Sequence, residues 1–312
     1  MLTRRHLGLL AGSLAALPRS LAAAPLPDMP DHACDSHVHI IGPQDPYPMT
    51  ADRAYTPPQS TIPELLALRQ RLGVARTVLI QPSFYGTDNR AMLDALAALG
   101  DTARGVAVLP PDVADAELAR LNAAGVRGVR VNLESSGSQD PREVTRALTA
   151  FARRIAPLGW HIEIYALLPV IAQVAPEMAD LPVPVVLDHF GMPKAALGTG
   201  QPGFGALLEL VRAGKTYVKL SAPYRISTRG PGYPDVLPIA RSLIEAGPER
   251  MVWASDWPHT DRAPGAGATD ISPFRAVGDP AVLALLAEWC PDAAARRAIL
   301  ADTPQHLFHF AP

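Results

Sequence analysis

A few residues in this chain carry chemistry that an ordinary core does not need. His37 and His39 stand two apart in Asp35-Ser36-His37-Val38-His39, so on an extended strand both imidazoles face the same side. His189 closes an apolar run after Asp188, and Asp256 closes another in Ser255-Asp256-Trp257-Pro258-His259. Brought together, three imidazoles and a carboxylate could act in two ways. Asp256 could take a proton from water while the imidazoles polarise a carbonyl, which is how a lactone or ester is hydrolysed. Alternatively His37, His39, His189 and Asp256 are four N/O ligands of types that suit one zinc or manganese ion. Arg130 and Asn132 share a face of Val126-Arg127-Gly128-Val129-Arg130-Val131-Asn132. An inward-facing arginine needs an anion, either a substrate carboxylate or an internal acid.

Positioning these groups requires a scaffold that gathers strand ends. Short β-rich apolar runs recur at Ala33–Ile41, Arg76–Ser83, Arg104–Leu109, Val126–Asn132, His161–Ala166, Val185–His189, Tyr217–Ser221 and Met251–Asp256. Stretches of helical periodicity lie between them, among them Ile62–Leu72, Asn89–Leu99, Asp115–Ala124, Pro141–Leu158 and Phe204–Ala213. Near-continuously apolar strands separated by helices imply a parallel sheet. Eight such units predict a single-domain α/β protein, a (β/α)8 TIM barrel over residues 30–312, with a doubly wound sheet as the alternative. In a barrel the C-terminal strand ends form the mouth, where the candidate residues fall. The long Pro-rich segment Gly42–Ser60, carrying Tyr47 and Tyr55, follows the first strand and reads as a functional loop. On the fifth strand, four residues place His161 roughly 13 Å below Tyr165, so Tyr165 and not a histidine stands at mouth level.

The first 22 residues read as something other than fold. Arg4-Arg5 precedes an Ala/Leu-rich run to Leu17, and Ser20-Leu21-Ala22 offers small residues for cleavage. This pattern predicts a twin-arginine-type signal peptide and periplasmic delivery, with Sec or lipoprotein export, or a disordered tail with chance arginines, as the alternatives. Cleavage after Ala22 removes three arginines and no acid, so the mature chain is more acidic than the formal charge of -2. The 28 Lys and Arg residues are dispersed, which argues against a nucleic-acid partner. No later segment is long and apolar enough to predict a membrane span of the mature form. The two cysteines, Cys34 and Cys290, are too few for a disulfide scaffold, and their pairing and the oligomeric state stay open. Gly198-Thr199-Gly200-Gln201-Pro202-Gly203 spells a dinucleotide fingerprint but follows no strand and is interrupted by Pro202, so it is read as chance.

At its chemistry-bearing positions the chain resembles the amidohydrolase superfamily: His-x-His on the first strand, His ending the sixth, Asp ending the eighth. The runs Gln81–Asn89, Gly125–Asn132, Asp188–Gly191 and Ser255–His259 are similar to those of the 2-pyrone-4,6-dicarboxylate lactonase group, with galactarolactone isomerase-like proteins nearby. The resemblance covers essentially all of the chain after the leader. It implies a hydrolytic site without a metal cofactor, where Asp256 activates water and His37, His39 and His189 polarise a lactone carbonyl. It also implies that Tyr55, Ser83, Arg130, Tyr165 and Arg225 bind a small-molecule lactone. Two positions depart from the group: Ser136 and Met192 stand where it has arginines that grip the pyrone dicarboxylate. That favours a lactone with fewer carboxylates, or a sugar-derived one. A lactone isomerase is an alternative, since the sequence leaves hydrolysis and ring isomerisation open, and a metal-dependent decarboxylase or amidase would need a bound ion. A periplasmic binding protein would keep Arg130 and Arg225 but has no need of His37, His39 and Asp256 together.

Overall fold

A computed structural model describes residues 28–135 and 137–312; the expected signal peptide over residues 1–22 and Ser136 lie outside the described residues. The apolar runs form eight parallel strands: β1 (Cys34–Val38), β2 (Arg76–Ile80), β3 (Ala103–Ala107), β4 (Val126–Asn132), β5 (His161–Tyr165), β6 (Val185–Leu187), β7 (Thr216–Ser221) and β8 (Met251–Ala254). Their order in the sheet follows the chain, which excludes the doubly wound alternative. A parallel bridge between Val38 and Trp257 brings the two edges together. Across that seam the Asp256 N–H donates to the His37 carbonyl at 3.1 Å and the His39 N–H to the Trp257 carbonyl at 2.9 Å. The sheet is thereby a nearly closed (β/α)8 barrel.

Helices α1 (Ile62–Leu72), α2 (Arg90–Leu99), α3 (Asp115–Ala123), α4 (Pro141–Ile155), α5 (Leu168–Gln173), α6 (Ala175–Ala179), α7 (Phe204–Arg212) and α8 (Leu237–Ala246) wrap the outside between strands. Then α9 (Asp279–Trp289), α10 (Ala293–Arg297) and α11 (Thr303–Leu307) follow β8. Local sequence sets their ends. Thr61 and Glu64 make a reciprocal capping box at the start of α1, and Gly73 ends it in the left-handed region at φ +69°. Asp140 caps α4, Pro141 opens it, and Val144, Leu148, Phe151 and Ile155 form its buried stripe.

Inside the barrel, residues two apart form levels. Cys34, Val186 and Val252 share the floor with Tyr217, and the C-terminal Phe308 and Phe310 plug it from below. His161 stacks on Phe308 with centroids 5.4 Å apart. Gly128 is its neighbour in register; a Cβ there would meet the imidazole at 2.6 Å. Above the floor come Arg130, Glu163 and Lys219, and above those Asn132, Tyr165 and Ser221 at the mouth. Cys34 and Cys290 are both buried free thiols.

The expected runs overshoot several strand ends, by three residues at β1 and β2 and by two at β3, β6 and β8. The sixth and eighth runs were read as strand through His189 and Asp256, but β6 stops at Leu187 and β8 at Ala254. His189 and Asp256 turn into positive φ, at +47° and +66°. Such a turn costs a non-glycine residue on the order of 1–2 kcal/mol. It is the backbone bend that aims both side chains across the mouth.

Candidate active site

A cavity of about 400 Å³ opens at the C-terminal face, lined by His39, Tyr55, Ser83, Arg130, Tyr165, His189, Arg225 and Asp256, with Asn132, Glu134, Thr260 and Arg262 towards its rim. Eight of the nine candidate residues therefore line one space. The ninth, His37, is fully buried directly beneath it.

Asp256 is the centre of the arrangement, and its two oxygens have different surroundings. Oδ2 accepts from Arg225 Nε at 2.8 Å and from the Tyr224 hydroxyl at 2.8 Å, and Arg225 Nη2 lies 2.8 Å away. Oδ1 is buried without a hydrogen-bond partner. It faces His37 Nε2 at 3.5 Å, His189 Nε2 at 3.8 Å and His39 Nε2 at 3.9 Å. Burial alone would raise this carboxyl, but the Arg225 guanidinium outweighs it and holds Asp256 well below the usual carboxylate range. The imidazoles move the other way. Burial, reinforced by Arg130, takes His39 down to about 4. Burial also takes His189 down to about 4, against the pull of Asp256 and Asp188. His37 falls well below 6.5 through burial and the charge of Lys219. Near neutral pH the centre is thus one carboxylate among three neutral rings.

Each ring is held by its second nitrogen. His39 Nδ1 lies 2.7 Å from the Ile80 carbonyl, which fixes the proton on Nδ1 and leaves Nε2 a lone pair. His189 Nδ1 lies 2.9 Å from Ser221 Oγ. His37 Nδ1 lies 3.0 Å from Lys219 Nζ, and its Nε2 is 3.3 Å from His39 Nε2.

The two alternatives for Arg130 are resolved by its neighbours. Its Nη2 lies 2.9 Å from Asp188 Oδ2 and its Nε 3.3 Å from Glu163 Oε1, so internal acids balance its charge while it still lines the cavity. Lys219 bonds Glu163 Oε2 and lies 3.3 Å from Asp188 Oδ1. Glu163, Lys219 and Asp188 form a buried layer to which no role was assigned from sequence. Their signal was there: a charge flanked by apolar residues on a strand, as in Ile162-Glu163-Ile164 and Val218-Lys219-Leu220. Tyr224 was also missed; its hydroxyl lies 3.1 Å from His259 Nδ1, whose Nε2 is 2.7 Å from Asp279 Oδ1. Met192 packs in the core and does not line the cavity, and Ser136 lies outside the described residues.

The donor types and spacings would suit a divalent ion. Among the described residues two sets of three lie close enough to share one: His37 with His39 and Asp256, and His37 with Asp188 and His189. Both sets depend on His37. Lys219 Nζ stands 3.0 Å from the His37 Nδ1, so an ion held by either set would lie against a ring that already faces an ammonium.

Comparison with known proteins agrees with this geometry. The amidohydrolase family model (Amidohydro_2) matches residues 34–310. A 2-pyrone-4,6-dicarboxylate hydrolase of Comamonas testosteroni is 36% identical over 294 residues, covering 90% of this chain and 91% of its own. A 4-sulfomuconolactone hydrolase of Hydrogenophaga intermedia is 33% identical over 283 residues, covering 90% and 89%. A crystal structure of an Agrobacterium tumefaciens protein superposes with a TM-score of 0.78 at 26% identity, covering 91% of this chain and 98% of its own.

Proposed function

The chain belongs to the amidohydrolase family, and from that premise we propose that it hydrolyses the ring ester of a small anionic lactone without a metal cofactor. The observation that carries this reading is the unpartnered Oδ1 of Asp256, aimed at three neutral imidazoles on the cavity floor. A water bound there meets one unpartnered acceptor, Asp256 Oδ1, and its oxygen is left free to attack. Asp256 takes the proton in the general-base role, worth roughly 10²–10⁴ in rate. The low basicity that Arg225 imposes on Asp256 keeps it ionised at any working pH, at some cost in proton-transfer driving force. His189 Nε2, with its ring steadied by Ser221, and the Tyr165 hydroxyl are the donors on hand for the carbonyl oxygen.

Substrate charge has its own receptor. Arg130 and Arg225 are already paired inside, whereas Arg262 lines the rim with no ion pair or hydrogen bond among the described residues. The names of two relatives describe lactones that carry carboxylate or sulfonate groups, which supports an anionic substrate. The absence of arginine at Ser136 and Met192 supports one with fewer carboxylates than the pyrone dicarboxylate. Delivery to the periplasm through the twin-arginine route completes the reading, on the strength of Arg4-Arg5 and Ser20-Leu21-Ala22.

The test is turnover of a panel holding 2-pyrone-4,6-dicarboxylate, monoanionic ring lactones and neutral sugar lactones. Products are to be weighed by mass spectrometry, and metal content measured on the same sample. Uptake of one water by a monoanionic lactone, fastest in the panel, is expected. A panel in which no ring opens, or activity that tracks bound zinc, would overturn the proposal.

A further inference from the structure

We infer that Lys219 is a positioning residue that holds His37 in the tautomer protonated on Nε2, and so keeps a divalent ion out of this site. Lys219 is fully buried at mid-height in the barrel, where a charge must be matched. Its ammonium has three protons and no lone pair. Two acceptors meet it in hydrogen-bond geometry, Glu163 Oε2 and His37 Nδ1 at 3.0 Å, and the Asp188 Oδ1 charge lies 3.3 Å away. A proton on His37 Nδ1 would point at the ammonium and leave one of its donors unused. The competing partner for such a proton is Asp188 Oδ1, 3.2 Å from Nδ1. That oxygen makes no bond of hydrogen-bond geometry, so the short separation is not an N–H···O contact. The His37 proton therefore sits on Nε2, where it reaches His39 Nε2 at 3.3 Å, itself a lone pair because His39 Nδ1 is spent on Ile80. Lys219, His37, His39 and the Ile80 carbonyl form one directed chain of donors.

This polarity has a consequence for metals. An ion binds the lone pair of a neutral imidazole, and its ligands donate their other N–H to an acceptor behind them. His39 meets that requirement and His37 is reversed. Both sets of donor atoms that could share an ion include His37. Charge acts in the same sense. Lys219 and Arg130 balance Glu163 and Asp188, and Arg225 balances Asp256, so a buried dication would arrive in a layer that is already neutral.

The inference deepens the metal-free reading of this site, and its test uses no substrate, so it fails or stands apart from the lactonase reading. Two measurements suffice. Imidazole ¹⁵N spectra of the wild-type protein report which nitrogen of His37 is protonated. Zinc affinity, by competition with a chelating dye, is compared between the wild type and Lys219→Met with Glu163→Gln. The double variant removes one charge of each sign, which protects folding and isolates the tautomer from net charge. Expected are Nε2–H in the wild type, a shift of the His37 proton to Nδ1 facing Asp188 in the variant, and zinc binding tightened by about 10- to 150-fold. That range is the worth of one hydrogen bond to a charged group. Adding His39→Gln should abolish the gain. A wild-type His37 protonated on Nδ1 would overturn the inference even if the variant did not fold. So would an unchanged tautomer and zinc affinity in the double variant, or a gain that survives His39→Gln.

Discussion

Replacing Asp256 with Asn asks whether this carboxylate is a base or a scaffold, and the structure allows the two costs to be separated. Oδ2 receives all the donors, from Arg225 and Tyr224, and Oδ1 receives none. An asparagine can therefore place its carbonyl in the Oδ2 position. Its amide then takes the Oδ1 position, 3.5 Å from His37 Nε2 and 3.9 Å from His39 Nε2. Shape and hydrogen bonds survive, and what is lost is charge. Hydrogen bonds to an ionised acceptor are worth about 1.5–3 kcal/mol against about 1 for a neutral one. With Arg225 partly open to the cavity, the loss of stability should be about 1–3 kcal/mol, well inside the 5–15 kcal/mol of a typical domain. The loss of the base is larger in its own currency, roughly 10²–10⁴ in kcat. Steady-state kinetics, calorimetric affinity for a product analogue and thermal unfolding on one preparation report the three quantities. The expected result is a folded protein with near-normal analogue affinity and kcat down by at least a hundredfold. Turnover within tenfold of wild type would refute the water-activating role of Asp256.

Other consequences are as direct. His39 and His189 are lowered to about 4 from 6.5, so their contribution to stability is fully present above pH 6.5 and lost as pH falls towards 4. Asp35, raised to about 7 by burial, works in the opposite sense over that interval but is one group against two, with His37 shifted the same way as its neighbours. Unfolding scans should therefore show Tm falling between pH 6.5 and 4, and the acid limb of kcat/KM should lie near pH 4; a limb near 6.5 would contradict the neutral-imidazole centre. Arg262→Ala should raise KM for an anionic lactone by about 10- to 100-fold, the range of one charge-assisted hydrogen bond, with kcat within threefold and a neutral lactone unaffected. Arg4→Lys with Arg5→Lys should leave the precursor uncleaved in the cytoplasm, read by fractionation and mass; normal periplasmic delivery would exclude the twin-arginine route.

The barrel was legible because its strands are buried on both faces. Ile62–Leu72 and Val126–Asn132 were read with the bounds they have in the structure. Most other elements differ by one or two residues, where helices fray into a 3-10 turn or strands bend. The missed bends at His189 and Asp256 share a cause. Backbone at positive φ leaves little mark in composition when the residue is His or Asp rather than Gly, because the side chain's role at the mouth overrides the local preference. That these side chains would share one cavity was legible for the same reason that their wiring was not. Spacing on a strand says which side chains face inward, but partners come from strands far apart in sequence.

Arg130 is the clearest case. Val129-Arg130-Val131, Ile162-Glu163-Ile164 and Val218-Lys219-Leu220 each announce one charge among apolar neighbours, yet nothing local says that the three belong to one layer. Barrel closure brings β7 towards β4 and β5, and only then does Glu163 stand between two cations. Reading Arg130 as a substrate ligand requires a spare positive charge that this layer has already consumed. The unpaired charge lies further out, on Arg262, which belongs to the loop after β8. On the proposed reading, recognition of the substrate's anion and activation of its water fall to different heights of one cavity. Exchange of the rim loops can change the lactone without disturbing the neutral, interlocked charges that hold Asp256 and the three imidazoles in place.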